Sequence, residues 1–100
     1  NLKMTILDFF DAVTDNNAPQ VREFIRNGMN PNATLDSHKL TPLHFAVMSD
    51  ALDVARTLIR FGADPGAKDI EEWTPLDWAI SGAHESMIRL LKEVCSSQEL

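Results

Sequence analysis

Apolar residues recur along this chain at helical spacing, in short clusters that come in pairs. Leu43, Ala46 and Val47, and again Leu76, Ala79 and Ile80, include small residues that let neighbouring helices approach closely, which predicts tightly packed inner helices. Val21, Phe24 and Ile25, then Val54, Leu58 and Ile59, then Met87, Ile88 and Leu91 form apolar stripes with Arg and Lys on the other side, which predicts an outer layer of amphipathic helices. Thr41 and Thr74 precede two inner helices as N-caps, each followed by a proline (Pro42, Pro75) at the first helical position, where no N–H is needed. Gly28 and Gly62 follow outer helices as left-handed stops, with Pro31 and Pro65 just beyond. At the third such position stands Cys95, so the last helix is expected to end without that stop and to fray into the polar tail Ser96-Ser97-Gln98-Glu99.

The clusters are copies of one another. Thr41-Pro42-Leu43-His44-Phe45-Ala46 returns thirty-three residues later as Thr74-Pro75-Leu76-Asp77-Trp78-Ala79. Aligning Gly28 with Gly62 brings Phe9-Phe10-Asp11-Ala12-Val13 onto Leu43-His44-Phe45-Ala46-Val47, a third and more diverged unit at an offset of thirty-four, the extra residue falling near Thr34 in a loop. The repeat boundaries are about 1–35, 36–68 and 69–100. Units of this size cannot bury their apolar faces alone and must stack, so the expectation is one domain, an all-α solenoid of three helix-turn-helix units.

The stretch Thr41–Ala67, with its TPLHFA motif, the pair Leu58-Ile59 and the Gly62-Ala63-Asp64 ending, resembles the ankyrin repeat, and the resemblance extends over essentially the whole chain. It implies an ankyrin-repeat solenoid whose units are joined by β-hairpin-like loops, and a partner held against the loop tips and the concave face of the inner helices. The first unit keeps only Ala12-Val13, Phe24-Ile25 and the ending Gly28–Ala33; its Asp8, Asp11, Asp15, Asn16 and Asn17, and Lys92 in the last unit where the second has Ile59, are the polar replacements that an end repeat needs. Three repeats with two caps imply a domain ending near residue 95. Two departures affect the loops: Lys39 and Glu72 stand where the family usually has Gly, and Asp77 stands where it has a hydrogen-bonding His, so that network must be rewired. By the same resemblance His44, His84, Asp36 and Asp69 are structural, and Asn32 lies in a loop that serves some ankyrin domains as substrate of an intracellular asparagine hydroxylase.

Charge narrows the partner. A net charge of −6 and a pI near 4.8 disfavour nucleic acid and anionic membranes, and favour basic or apolar partners. Residues 69–100 hold two basic and seven acidic groups, so five of the six net negative charges fall in the last third. No apolar run approaches the roughly 18 residues of a membrane span, and Lys3 and Asp8 interrupt any signal-peptide core. The single cysteine, Cys95, fits a reducing intracellular setting, cytoplasmic first and nuclear second. The start at Asn1 is read as a segment of something longer.

Seven residues are the expected partner-binding set: Leu40, Trp73, Met48, Phe45, Trp78, Glu71 and Glu72. By motif position Leu40 and Trp73 sit on loop stems and should point outward as a hot-spot pair, or fold back onto the adjacent loop. Phe45 and Trp78 either pack between inner helices or line the concave surface beside Trp73. Met48 and Ser49, with Ser81 and Gly82, mark the variable end of the inner helices. Asp69, Glu71, Glu72 and Asp77 surround the tryptophans as an acidic, aromatic corner suited to a Lys- or Arg-bearing segment. No Cys/His cluster, phosphate loop or nucleophile elbow occurs, His38 has no metal-ligand spacing, and neither cofactor, metal, catalytic residue nor small-molecule substrate is expected. The sequence therefore reads as a protein-interaction module and not an enzyme. The alternatives are an accessory domain of a larger enzyme such as a small-GTPase-activating protein, a kinase or a lipid-modifying protein, and a methyl-lysine reader built on the two tryptophans.

Overall fold

The computed structural model describes residues 5–97, and the elements it forms there are six α-helices without a strand. They are α1 (Ile6–Thr14), α2 (Ala18–Arg26), α3 (Pro42–Met48), α4 (Leu52–Arg60), α5 (Pro75–Ser81) and α6 (Glu85–Ser97). Each odd-numbered helix packs on the even-numbered one that follows it; α1, α3 and α5 also contact one another in series, and α2 contacts α4. The result is elongated, 41 × 26 × 25 Å.

Local chemistry sets the helix starts. The hydroxyls of Thr5, Thr41 and Thr74 accept from the backbone N–H of Asp8, His44 and Asp77, and those side chains accept in return from the threonine N–H, so all three helices of the inner layer begin in a capping box. The box at Thr5 places the start of α1 earlier than the repeat register does, which makes that helix 9 residues long against 7 for α3 and α5. Gly28 and Gly62 have φ of +104° and +101°, a conformation that L side chains rarely adopt, as their role as stops requires. The last helix does not fray at Ser96; lacking a glycine stop, α6 continues through Ser97 to a length of 13 residues. Gln98 and Glu99 of the expected tail lie outside the described residues.

The turn within each helix pair holds one left-handed residue: Asn16, Asp50 and Ala83, with φ between +52° and +56°. Asn and Asp tolerate this region, whereas alanine, with a Cβ and no polar group to compensate, is strained there by about 1–2 kcal/mol. Ala83 is exposed, so a smaller side chain loses no packing. Ala83→Gly is expected to raise stability by about 0.5 kcal/mol, the relief of strain less the extra chain entropy of glycine. A urea midpoint that fell instead would contradict this turn geometry. Lys39 and Glu72, at the positions where Gly was expected, adopt the same region with φ of +61° and +67°, so the loop tips keep the usual backbone conformation despite their side chains.

The core runs in columns through the stack. Phe9 and Leu43 are buried in equivalent inner positions, and Phe24, Leu58 and Leu91 in equivalent outer ones. The end-repeat residues Asp8, Asp11, Asp15, Asn16, Asn17 and Lys92 are exposed. Ile80 departs from the expected inner stripe: Val13 and Val47, its counterparts, are 0% exposed, but Ile80 is 54% exposed. The reason is topological, since α3 and α5 follow the first two units and none of the described helices follows α5 on that side.

Long-range hydrogen bonds tie each repeat to the next. Asn16 Oδ1 accepts from Val54 N–H at 3.1 Å, adding a cap to α4, whose own N-cap Ala51 has no side-chain acceptor. The Asn32 amide donates to Gly62 O at 3.1 Å and accepts from Asp64 N–H at 2.7 Å. Ile70 N–H donates to His38 O at 2.8 Å, and the His44 ring reaches Trp73 O at 2.9 Å. Residues 30 or so apart in sequence thereby become neighbours, and the loop around Trp73 is held from the preceding repeat.

Candidate functional site

Asp69 organises the loop that presents Trp73. Its Oδ1 accepts from the N–H of Glu71 at 2.9 Å and of Trp73 at 3.0 Å, and its Oδ2 accepts from the Trp78 indole N–H at 2.8 Å. Its own N–H donates to Trp73 O, closing the loop. Only 5% exposed, Asp69 is not part of the open acidic corner, where the sequence alone placed it; its charge is consumed by these three donors. Burial pushes its carboxyl upward, but the hydrogen bonds from Trp73, Trp78 and Glu71 and the nearby His44 outweigh that, so its pKa lies below the ordinary carboxylate value.

His44 braces the same loop from the preceding repeat. Its Nδ1 accepts from Thr41 N–H at 3.1 Å and lies 2.8 Å from the Thr41 hydroxyl, which assigns the ring proton to Nε2, the donor to Trp73 O. Burial holds its pKa below the usual imidazole value, against the opposing influence of the Trp73 carbonyl and Asp69, so the ring is neutral at pH 7. Asp77, its counterpart in the third repeat, accepts from Thr74 N–H through Oδ2 at 2.9 Å and so reproduces the cap. A carboxylate has no donor for a following loop, which is how the network is rewired.

With the loop so held, Trp73 is 38% exposed and its ring lies 5.1 Å from that of Trp78 at 56°. Glu71, Glu72, Trp73, Asp77, Ile80 and Ser81 line an open groove of about 500 Å³. Of the expected binding residues, the groove brings together Trp73, Glu71 and Glu72. Leu40 does not point fully outward: it is half-buried, because the loop of the third repeat, bonded to His38 and His44, lies against its own. The expected pair of equivalent exposed residues is thus a single residue, Trp73. Phe45 is half-buried with its ring edge-on to Phe10 of the first repeat at 5.0 Å, which is the packing role. Trp78 is half-buried between Trp73 and Asp69 and does not line the groove. Met48 is half-buried on α3.

Two residues of the exposed surface were missed by sequence reasoning. Ile70 and Ile80 are 55% and 54% exposed and, with Trp73 and Leu7, are the large hydrophobics most open to solvent among the described residues. The signal for Ile70 was its place one residue after a loop-closing Asp; Ile80 was assigned to the core from its periodicity. Among the described residues no group of three His, Cys, Asp or Glu is placed to hold a metal ion, and no helix is long and apolar enough to cross a membrane.

Comparison with known proteins agrees with this architecture. A family profile described as ankyrin repeats in three copies matches residues 9–98. Protein phosphatase 1 regulatory subunit 27 of Homo sapiens is 35% identical over 83 residues, which cover 83% of this chain and 54% of that protein. Serine/threonine-protein kinase VIK of Arabidopsis thaliana is 38% identical over 77 residues, 77% of this chain but 18% of the kinase. ARF GTPase-activating protein GIT2 of Homo sapiens is 39% identical over 54 residues, 54% of this chain and 7% of that protein. The chain spans about half the length of the phosphatase subunit and much smaller parts of the other two.

Proposed function

The chain belongs to the ankyrin-repeat family, and from that premise we propose that it is a non-catalytic protein-interaction module that docks a basic or apolar partner at its loop tips and concave inner face, centred on Trp73. One observation carries this reading: the exposed Trp73 and Ile80 line one groove of the third repeat with the exposed carboxylates of Glu71, Glu72 and Asp77, and Ile70 is exposed on the same loop as Trp73. Exposed apolar residues gathered at one place and rimmed by charge are the usual composition of an interaction site. Met48, half-buried on the neighbouring inner helix, is a flexible apolar side chain that can adapt to a partner's shape. The single cysteine supports a reducing, intracellular setting.

Trp73→Ala is expected to weaken binding of a partner identified by proximity labelling by about 2 kcal/mol, roughly thirtyfold in Kd, while the circular dichroism spectrum is retained. Titration calorimetry with unchanged affinity would remove Trp73 from the interface. A second reading, an accessory domain within a larger enzyme or its regulatory subunit, is favoured by the similarity to segments of a kinase and of a GTPase-activating protein. Whether a catalytic domain is joined to these residues in the natural protein decides it. The methyl-lysine reading loses support, because the two rings pack against each other and Trp73 alone lines the groove, leaving an alkylated ammonium without a second aromatic wall.

A further inference from the structure

The groove beside Trp73 lies on the inner-helix face of the third unit that no following described repeat covers, and its chemistry differs from that of the equivalent faces in the first two units. In the first two units this face is closed by the next repeat, which buries Val13 and Val47. Polar ties accompany that burial: Asn16 accepts from Val54 N–H, and His44 donates to the Trp73 carbonyl. In the third unit the apolar part of the face persists in Ile80 and the half-buried Leu76. Both polar ties have changed. Ala83, in place of Asn16, has no side-chain acceptor, and Asp77, in place of His44, presents a carboxylate.

That exchange reverses the hydrogen-bond polarity of the face. A loop carbonyl like that of Trp73 meets a ring N–H at His44, but at Asp77 it would meet another acceptor, and like partial charges repel. Oδ2 of Asp77 is taken by Thr74 N–H, while Oδ1 has no hydrogen bond among the described residues. Glu71 and Glu72 stand on the same groove, and the nearby cation is Lys68, 3.8 Å from Glu72 and exposed. The face combines an aliphatic stripe with acceptors and excess negative charge.

Resting on the interaction reading above, we propose that this face takes a helix of a partner protein that lays an aliphatic stripe on Leu76 and Ile80 and sets an arginine or lysine against Asp77. The helix occupies the place of a following inner helix, and the cation supplies the donor that the reversed polarity demands. Arginine suits it best, because a planar fork can bond one carboxylate and still reach Glu71 or Glu72.

The test uses a displayed library of helical peptides with a fixed aliphatic stripe and flanking positions drawn from Arg, Lys, Gln, Ala, Asp and Glu. It is selected on the wild-type chain, and the enriched peptides are then titrated against Asp77→Asn, Ile80→Asp and Trp73→Ala. Asn keeps an acceptor for the Thr74 cap and Ile80 is already exposed, so neither change at this face threatens folding. The expected result is enrichment of Arg or Lys at one flanking position, a loss of about tenfold or more with Ile80→Asp, and a several-fold loss with Asp77→Asn that shrinks in high salt. Enrichment without a basic preference, or affinities indifferent to Asp77 and Ile80 but sensitive to Trp73, overturns this inference and leaves the interaction reading standing. No enrichment on any part of the chain defeats both. Concentration-dependent self-association that Ile80→Asp abolishes makes a second copy the occupant and overturns the proposal.

Discussion

Replacing Asp69 with alanine is expected to remove about 3 kcal/mol of folding stability and to release the loop that carries Trp73. The carboxylate satisfies two backbone N–H groups and the Trp78 indole from a nearly buried position, and alanine leaves all three without an acceptor. Asparagine retains one side-chain oxygen and should lose about half as much. Urea unfolding followed by tryptophan fluorescence measures both effects, because Trp73 and Trp78 flank the site. A loss below about 1 kcal/mol for Asp69→Ala would show that water replaces the carboxylate without cost. Asp69 is also a source of acid sensitivity. Its folded pKa lies below the ordinary value of 3.8, so its contribution is present above that pH and is lost as the pH falls through the folded value.

The second large effect is expected at His44, where alanine should cost about 2–3 kcal/mol. The ring is fully buried, completes the Thr41 cap and supports the Trp73 carbonyl, so its removal strands polar groups in two repeats. This residue sets a pH dependence at a milder range. Its folded pKa is depressed below the ordinary 6.5, so the unfolded chain takes up the proton first; the stabilisation is complete above 6.5 and declines as the pH falls through the folded value. His44→Gln removes that contribution, and its stability should depend less steeply on pH from 7 to 5 than that of the wild type. Equal slopes would assign the titration elsewhere. Asp69 and His44 both hold the backbone of Trp73, so the double variant should lose less than the sum of the single changes.

These hydrogen bonds fix the backbone of Trp73, the residue proposed above as an interaction anchor. Binding surfaces gain affinity when the anchor is ordered beforehand, since the entropy of ordering it is then not charged to association. Asp69 acts from within the loop and His44 from the preceding repeat, and Trp73 is left with one open side.

The family resemblance and the helix positions were legible because they depend on local rules. Thr41-Pro42 and Thr74-Pro75 begin helices by capping, Gly28 and Gly62 end them by backbone freedom, and the thirty-three-residue echo requires stacking. The structural role of His44 also followed from its place in the motif. The capping box of Thr5 and Asp8 is local too, but it starts α1 two residues before the position that the repeat register implies. Of the residues expected to bind a partner, Trp73, Glu71 and Glu72 meet at the groove, while Phe45 and Trp78 are engaged in packing and Leu40 is partly covered.

By itself the sequence determined the repeat, its helices, the columns of core residues and the surplus of acid in the last third. Only the tertiary structure decided which chemically similar residues are open: Ile80 and not Val47, Trp73 and not Leu40, Glu71 and not Asp69. Periodicity states which side of a helix is apolar. Exposure depends on whether a neighbouring repeat lies against that side, and a carboxylate's availability depends on donors that reach it only after the chain has folded back on itself.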